Sequence, residues 1–222
     1  MGTFLDMAAC LGKSRQDVAD ALMQYAVNND GVWQDVLVDS DKYKNAEEYY
    51  NDFKDESCLL ETVEPYTLIM YPDMMCLGED ASQYLSEKLD CVVFSLEIYD
   101  GDFWMFHLYH QGKIVTRFNQ KPTYFGEIDD DELESWRPDI EAICRLVPGV
   151  DPKRIERYLI FLECDEERVS CENCSFETKA YPDDEFSYCD EWQISDFMKA
   201  LGIEYFYSRY TSQVFRFIME RH

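Results

Sequence analysis

No run in this sequence approaches the ~18 consecutive apolar residues of a membrane-spanning helix. Basic residues are scarce. Only 20 Lys and Arg stand against 46 Asp and Glu in 222 residues, a formal net charge of −26 with three histidines. A surface of that sign repels nucleic acid and anionic membranes and attracts basic partners. Direct nucleic-acid binding and membrane association are therefore not expected. The catalytic signatures G-x-S-x-G, H-E-x-x-H, the P-loop and G-x-G-x-x-G are all missing. One of the three histidines is the last residue, so a Cys–His or Ser–His enzyme would have to use His107 or His110. Internal repeats and low-complexity linkers are also lacking.

The start of the chain, MGTFLDMAACLGKSRQD, has no basic n-region. Its apolar run is interrupted by Asp6, which also occupies the position where myristoylation requires Ser or Thr. Nine cysteines is an odd number, and Cys10, Cys58, Cys76, Cys91 and Cys144 are scattered through apolar or helical contexts. That usage suits reduced thiols better than a disulfide framework, and it predicts a cytoplasmic location.

What is present suffices for a folded core. The chain is 46% hydrophobic and 15% aromatic, which excludes wholesale disorder. Its length predicts one α+β domain over 1–222, with 1–57 as a candidate peripheral subdomain. The organising stretch is Cys91 to Pro122. Asp100-Gly101 and Gln111-Gly112 separate apolar runs, and glycine supplies the positive φ of tight hairpin turns. Val92, Phe94, Leu96 and Ile98 alternate on one face of the first strand. Phe103 to His110 is apolar on both faces, as for a strand covered on both sides. A three-residue loop at Asp100 to Asp102 keeps Phe94 and Leu96 on the same face as Phe106 and Leu108. These features predict an α+β fold with an antiparallel sheet centred on a three-stranded meander over about 91–119, with helices packed on it.

Around the meander, Ser14 caps a helix that buries Val18, Leu22, Tyr25 and Ala26, and residues 28–31 end it. Strands are expected at 32–38, 58–63 and 66–71, and helices at 45–54 and 80–89. Asp129 to Glu132 opens a helix that Pro138 kinks or restarts. Asp151-Pro152 is a cap followed by a first helical position. A helix is expected at 190–201 with Gly202 as its stop, and the aromatic last twenty residues read as β-prone.

Three constellations are candidates for chemistry or binding. Cys171 and Cys174 form a C-x-x-C, with Cys164 before and Cys189 after, the residue types and spacing of a possible structural zinc site. The alternative is a set of neighbouring free thiols. Glu97 and His107 share a face of the meander, an acid/base pair in type, although histidine in a sheet is more often a packed residue. The third constellation is acidic. Residues 129–191 hold 20 acidic and 7 basic residues, whereas 192–222 hold 3 and 4. Within that segment, Asp129, Asp130, Asp131 and Glu132 form one run, and Asp183, Asp184, Glu185, Asp190 and Glu191 form another. Either run can meet a basic partner or a hard cation, or be a solvated loop.

Three local patterns are similar to those of an uncharacterised family of soluble bacterial proteins. They are Asp100-Gly101-Asp102-Phe103-Trp104-Met105 with Leu108-Tyr109 and Gly112; Arg117-Phe118-Asn119; and Asp184-Glu185-Phe186 with Trp192-Gln193 and Asp196-Phe197-Met198. The chain also resembles the small, acidic, aromatic-rich α+β proteins found among immunity proteins, which neutralise a toxin by binding it. The resemblance implies a binding role and transfers no catalytic residue. The Cys171/Cys174 loop is not part of the pattern.

The reading that follows is a non-enzymatic, intracellular protein-binding domain, an immunity-type inhibitor of a basic protein partner. Acidic residues would steer that partner and exposed Tyr or Trp would anchor it. Two alternatives stand beside it: a hydrolase or metal-dependent enzyme built on Glu97 and His107, and a nucleic-acid mimic. The sequence does not specify the oligomeric state.

Overall fold

Turn glycines and alternating apolar residues set the meander. The computed structural model describes residues 2–29, 31–37, 57–72, 78–162, 178–205 and 213–219. In it β5 (Val92–Tyr99), β6 (Phe103–His110) and β7 (Lys113–Asn119) follow one another. The first connection is the expected three-residue loop. Asp100 and Gly101 there have φ of 50° and 73°, and Gln111 and Gly112 of the second turn have 52° and 72°. Both turns thus use the left-handed region, where glycine is free of strain.

The fold is α+β. The strands before the meander are β1 (Leu5–Leu11), β2 (Gly31–Leu37), β3 (Ser57–Val63) and β4 (Tyr66–Met70), and β8 (Gln213–Met219) comes last. Among the described residues they form one eight-stranded sheet in the order β2-β8-β3-β4-β1-β5-β6-β7. The pairs β1–β4, β2–β8, β3–β4 and β3–β8 are antiparallel, with Met7 opposite Met70 and Val32 opposite Ile218. The meander lies at one flank of that order, and β7 is its edge strand.

Among the described residues the helices are α1 (Arg15–Asn28), α2 (Gly78–Lys88), α3 (Asp130–Ser135), α4 (Ile140–Leu146), α5 (Pro152–Ile155) and α6 (Gln193–Ala200). Ser14 caps α1 through a reciprocal capping box with Asp17. Pro138 marks a fresh start: α3 ends at Ser135 and α4 begins under its own cap, Asp139, whose carboxylate accepts from Ala142 N at 2.9 Å. Helix α5 is a single turn continued by a 3₁₀ turn at Glu156–Tyr158, shorter than its start signals suggest. The expected helix at 45–54 lies outside the described residues.

Packing divides the chain into two compact units. One comprises Asp6–Ser95, Tyr109–Ile114 and Glu204–His222. Its core joins Val18, Leu22 and Tyr25 of α1 and Ala81 and Leu85 of α2 to Ala8, Leu60, Ile69 and Val93 of the strands. Cys10, Cys58 and Cys91 are buried in it as free thiols, and burial pushes the Cys58 thiol well above its ordinary value.

The other unit comprises Met1–Leu5, Leu96–Leu108 and Val115–Ile203. Its core is aromatic. Phe197 of α6 stacks on Trp104 at 5.2 Å and on Phe106 at 5.3 Å, and Trp104 leans on Phe118 at 5.0 Å. Such ring pairs add roughly 0.5–1.5 kcal/mol each beyond the area they bury. A buried polar chain threads the same core. Gln193 Oε1 accepts from Trp104 Nε1 and from Gln120 Nε2, both at 3.3 Å, and Gln120 Nε2 also donates to the Tyr188 carbonyl at 3.2 Å. Gln120 begins the loop after β7, so this chain anchors the base of that loop.

Candidate protein-binding surface

The loop after β7 is built from short turns. Asn119 Oδ1 accepts from Lys121 N at 2.9 Å, Tyr124 N donates to the Lys121 carbonyl at 3.0 Å, and Gly126 N donates to the Thr123 carbonyl at 3.1 Å. The loop presents Tyr124 and Phe125, which are 37% and 72% exposed. Tyr99, at the end of β5, is the hub beneath them. Its ring lies 5.9 Å from Tyr124, 5.0 Å from Phe125 and 5.4 Å from Phe4, each edge to face. Phe4 is itself 52% exposed. Exposed rings gathered on one surface, rather than scattered singly, make it a candidate interaction site.

The turn at 100–102 ties this cluster together. Gly101 N donates to the Thr3 carbonyl at 2.8 Å, which holds Phe4 against Tyr99. A side chain at Gly2 would fall 1.9 Å from the Asp100 carbonyl oxygen, so the chain passes the turn this closely only because glycine stands there. Tyr124 donates its hydroxyl to Asp102 Oδ2 at 2.5 Å, and that bond is the main reason its phenol is pushed up to about 12.

The first acidic run continues directly from this loop. Asp129 caps α3 by accepting from Glu132 N at 2.8 Å, and Asp130, Asp131 and Glu132 form the first turn. Helix α3 has no buried residue, so all four carboxylates stand in solvent. Carboxylates at this end of a helix face its positive pole.

The second run divides. Glu191 joins the surface: its Oε1 accepts from Thr3 Oγ1 at 3.3 Å and lies 3.5 Å from where a Gly101 side chain would begin. Asp190 Oδ1 accepts from Trp192 N at 2.9 Å in the turn before α6, whose N-cap is Trp192 and not Asp190. Asp183 and Asp184 are used internally. Asp183 receives both terminal nitrogens of Arg154 at 3.1 Å, and the guanidinium holds its carboxyl below the usual range. Asp184 is buried, accepting the Tyr158 hydroxyl at 2.6 Å and Tyr181 N at 2.7 Å. Glu185 is exposed, and its backbone N–H is held by Asp196 at 2.9 Å.

Glu97 and His107 approach as the register predicts, with candidate ligand atoms within 4.8 Å of one another. His107 is buried, packs edge-on to Trp136 at 5.6 Å, and lies near Arg117, whose guanidinium covers the Trp136 ring at 4.0 Å. Burial and then the Arg117 charge push the imidazole down to about 4. A general base works best with a pKa near the working pH, so this histidine is poorly matched to such a role at neutral pH.

Of the candidate zinc ligands, Cys189 is exposed and takes part in no disulfide, and Cys164, Cys171 and Cys174 lie outside the described residues. Sequence reasoning overlooked the gathering of Phe4, Tyr99 and Phe125 and the placing of Asp100 and Asp102 in the turn beside them. The available signal was an Asp-Gly-Asp turn and an aromatic loop running straight into an acidic helix. No helix among the described residues is long and apolar enough to cross a membrane. No protein-family model, curated protein or solved structure matches this chain.

Proposed function

We propose that the chain is a non-enzymatic, acidic protein-binding domain acting in the cytoplasm, an immunity-type inhibitor that occupies a basic protein partner. The observation that carries this reading is the exposed cluster of Phe4, Tyr124 and Phe125 beside the carboxylates of Asp100, Asp102 and Glu191. The acidic start of α3 follows it in the chain. Aromatic anchors inside a charged rim are what a steered, specific interface needs: the charges raise the encounter rate and the rings supply the residence time. An arginine or lysine of the partner can lie over the face of Phe125, where a cation–π contact is worth roughly 0.5–2 kcal/mol.

The enzyme alternative has one observation in its favour, the proximity of Glu97 to His107, and the depressed basicity of His107 weighs against it. The nucleic-acid-mimic alternative rests on the same carboxylates and leaves the exposed rings without a role.

The test is capture of a partner on the immobilised protein from extracts of its native host, at low and moderate salt, with wild type and Phe125→Ala side by side. One basic protein should be retained by wild type and weakened by about 30-fold in the variant, the equivalent of about 2 kcal/mol for a central anchor. Equal retention by both proteins would sink the assignment to this surface.

A further inference from the structure

Two thiols meet inside the core that α1 and α2 share with the strands. Cys10 is the last residue but one of β1, Cys91 stands directly before β5, and the sheet order places β1 beside β5. Both are buried in one apolar cluster, neither is in a disulfide, and their side chains share a hydrogen bond. Residues facing one another on neighbouring strands have Cα atoms roughly 4.5–5.5 Å apart, within the span of about 4.4–6.8 Å that a disulfide accepts. We infer that Cys10 and Cys91 are a site of reversible oxidation, closing to a disulfide with hydrogen peroxide as the oxidant. The inference uses none of the residues of the aromatic surface and stands whether or not that surface binds a protein.

The surroundings divide the pair into an attacking and a resolving thiol. Burial pushes a thiol up and makes it inert, as at Cys58. Cys91 goes the other way. The hydrogen bond from Cys10 holds it below its ordinary value, with the Lys13 ammonium assisting against burial and the Asp90 charge. Cys10 is held well above its ordinary value by the same bond, by burial and by charge on Cys91. Access has the same order, for Cys91 is 5% exposed and Cys10 0%. The Cys91 thiolate attacks one oxygen of the peroxide, the O–O bond breaks, and the departing hydroxide becomes water with the proton that Cys91 gave up. Cys91 is then a sulfenic acid. The Cys10 sulfur attacks the Cys91 sulfur, the S–O bond breaks, and the second oxygen leaves as water with the Cys10 proton. The two thiols lose the two electrons that the peroxide gains. Because the resolving thiol already touches Cys91, closure outruns the second peroxide attack that would give a sulfinic acid.

The experiment exposes the reduced full chain to hydrogen peroxide, quenches with catalase, caps the remaining thiols with iodoacetamide in denaturant and weighs the tryptic fragments. The fragment ending at Lys13 carries Cys10 as its one cysteine, and the fragment from Leu89 to Lys113 carries Cys91 as its one, so their linkage is unambiguous. Native protein should yield the linked pair, about 2 Da lighter than the two reduced fragments together and separated by dithiothreitol. Protein oxidised in guanidinium chloride should yield about tenfold less of it, because distant thiols no longer meet and nine cysteines compete. Dimedone, which traps sulfenic acid, should label Cys91 in Cys10→Ser and leave Cys10 unlabelled in Cys91→Ser. Both fragments capped after peroxide treatment of native protein, a sulfinic acid on Cys91 beside a capped Cys10, a linkage as frequent in guanidinium chloride as in buffer, or dimedone on Cys10 in place of Cys91 would each overturn the inference.

Discussion

Asp131 and Asp184 carry the same carboxyl group, belong to acidic runs that look alike in sequence, and meet opposite fates. Asp131 stands in the first turn of a helix that buries nothing, where its charge is available to whatever approaches. Asp184 is 7% exposed and holds the Tyr158 hydroxyl and the Tyr181 amide, so its charge is consumed in closing a loop. The difference teaches that a net charge of −26 says how strongly a basic partner is drawn in, and nothing about which carboxylates touch it. Availability is decided by long-range partners: for Asp183 by Arg154, 29 residues away, and for Glu191 by Thr3, 188 residues away.

The comparison breaks most severely if the buried member is removed. Asp184→Ala leaves a buried hydroxyl and a buried amide without their acceptor, and should cost about 3 kcal/mol in denaturant unfolding. Asp131→Ala in the same assay should stay within about 0.5 kcal/mol of wild type.

A second buried titratable group extends the contrast to pH. His107 has its folded pKa pushed down to about 4, below an unfolded value of about 6.5. The neutral ring's contribution is therefore complete above about pH 6.5 and is lost as the pH falls toward 4. Over that window it amounts to about 3 kcal/mol. Unfolding measured at intervals from pH 7 to 4 should show this slope in wild type and a flatter curve in His107→Gln. An unchanged slope would mean the imidazole is not the group responsible.

Much of the fold was legible because its signals are local. Alternation in β5, the glycines at 101 and 112, the restart at Pro138 and the caps at Ser14, Asp129 and Asp151 each act within a few residues, and the structure keeps them all. Strand β1 was not legible. LDMAACL has no β-branched residue, and its middle is buried on both faces, so neither propensity nor a period of two marks it. The length of α5 was hidden for a related reason. Asp151-Pro152 announces a start, but the apolar residues beyond Tyr158 pack from irregular backbone. The candidate surface was half legible. Acidic runs are visible in any sequence, whereas the meeting of Phe4 with Tyr99, the ring that also carries Phe125, depends on the N-terminal residues folding against a turn nearly a hundred positions later.

The smallest expected effect sharpens the exposed side of the comparison. Asp129→Ala removes the cap of α3, which is worth about 1 kcal/mol to that helix. Because α3 buries nothing, global stability should barely move, and the loss should appear as faster amide exchange at Glu132 and Leu133.

The most direct test is the affinity of the captured basic partner for three proteins: wild type, Phe125→Ala and Asp183→Asn. The account predicts about a 30-fold loss for Phe125→Ala, and less than a threefold change for Asp183→Asn, whose carboxylate already answers to Arg154. Full affinity in Phe125→Ala together with collapse in Asp183→Asn would place the interface on the other acidic run and contradict the account.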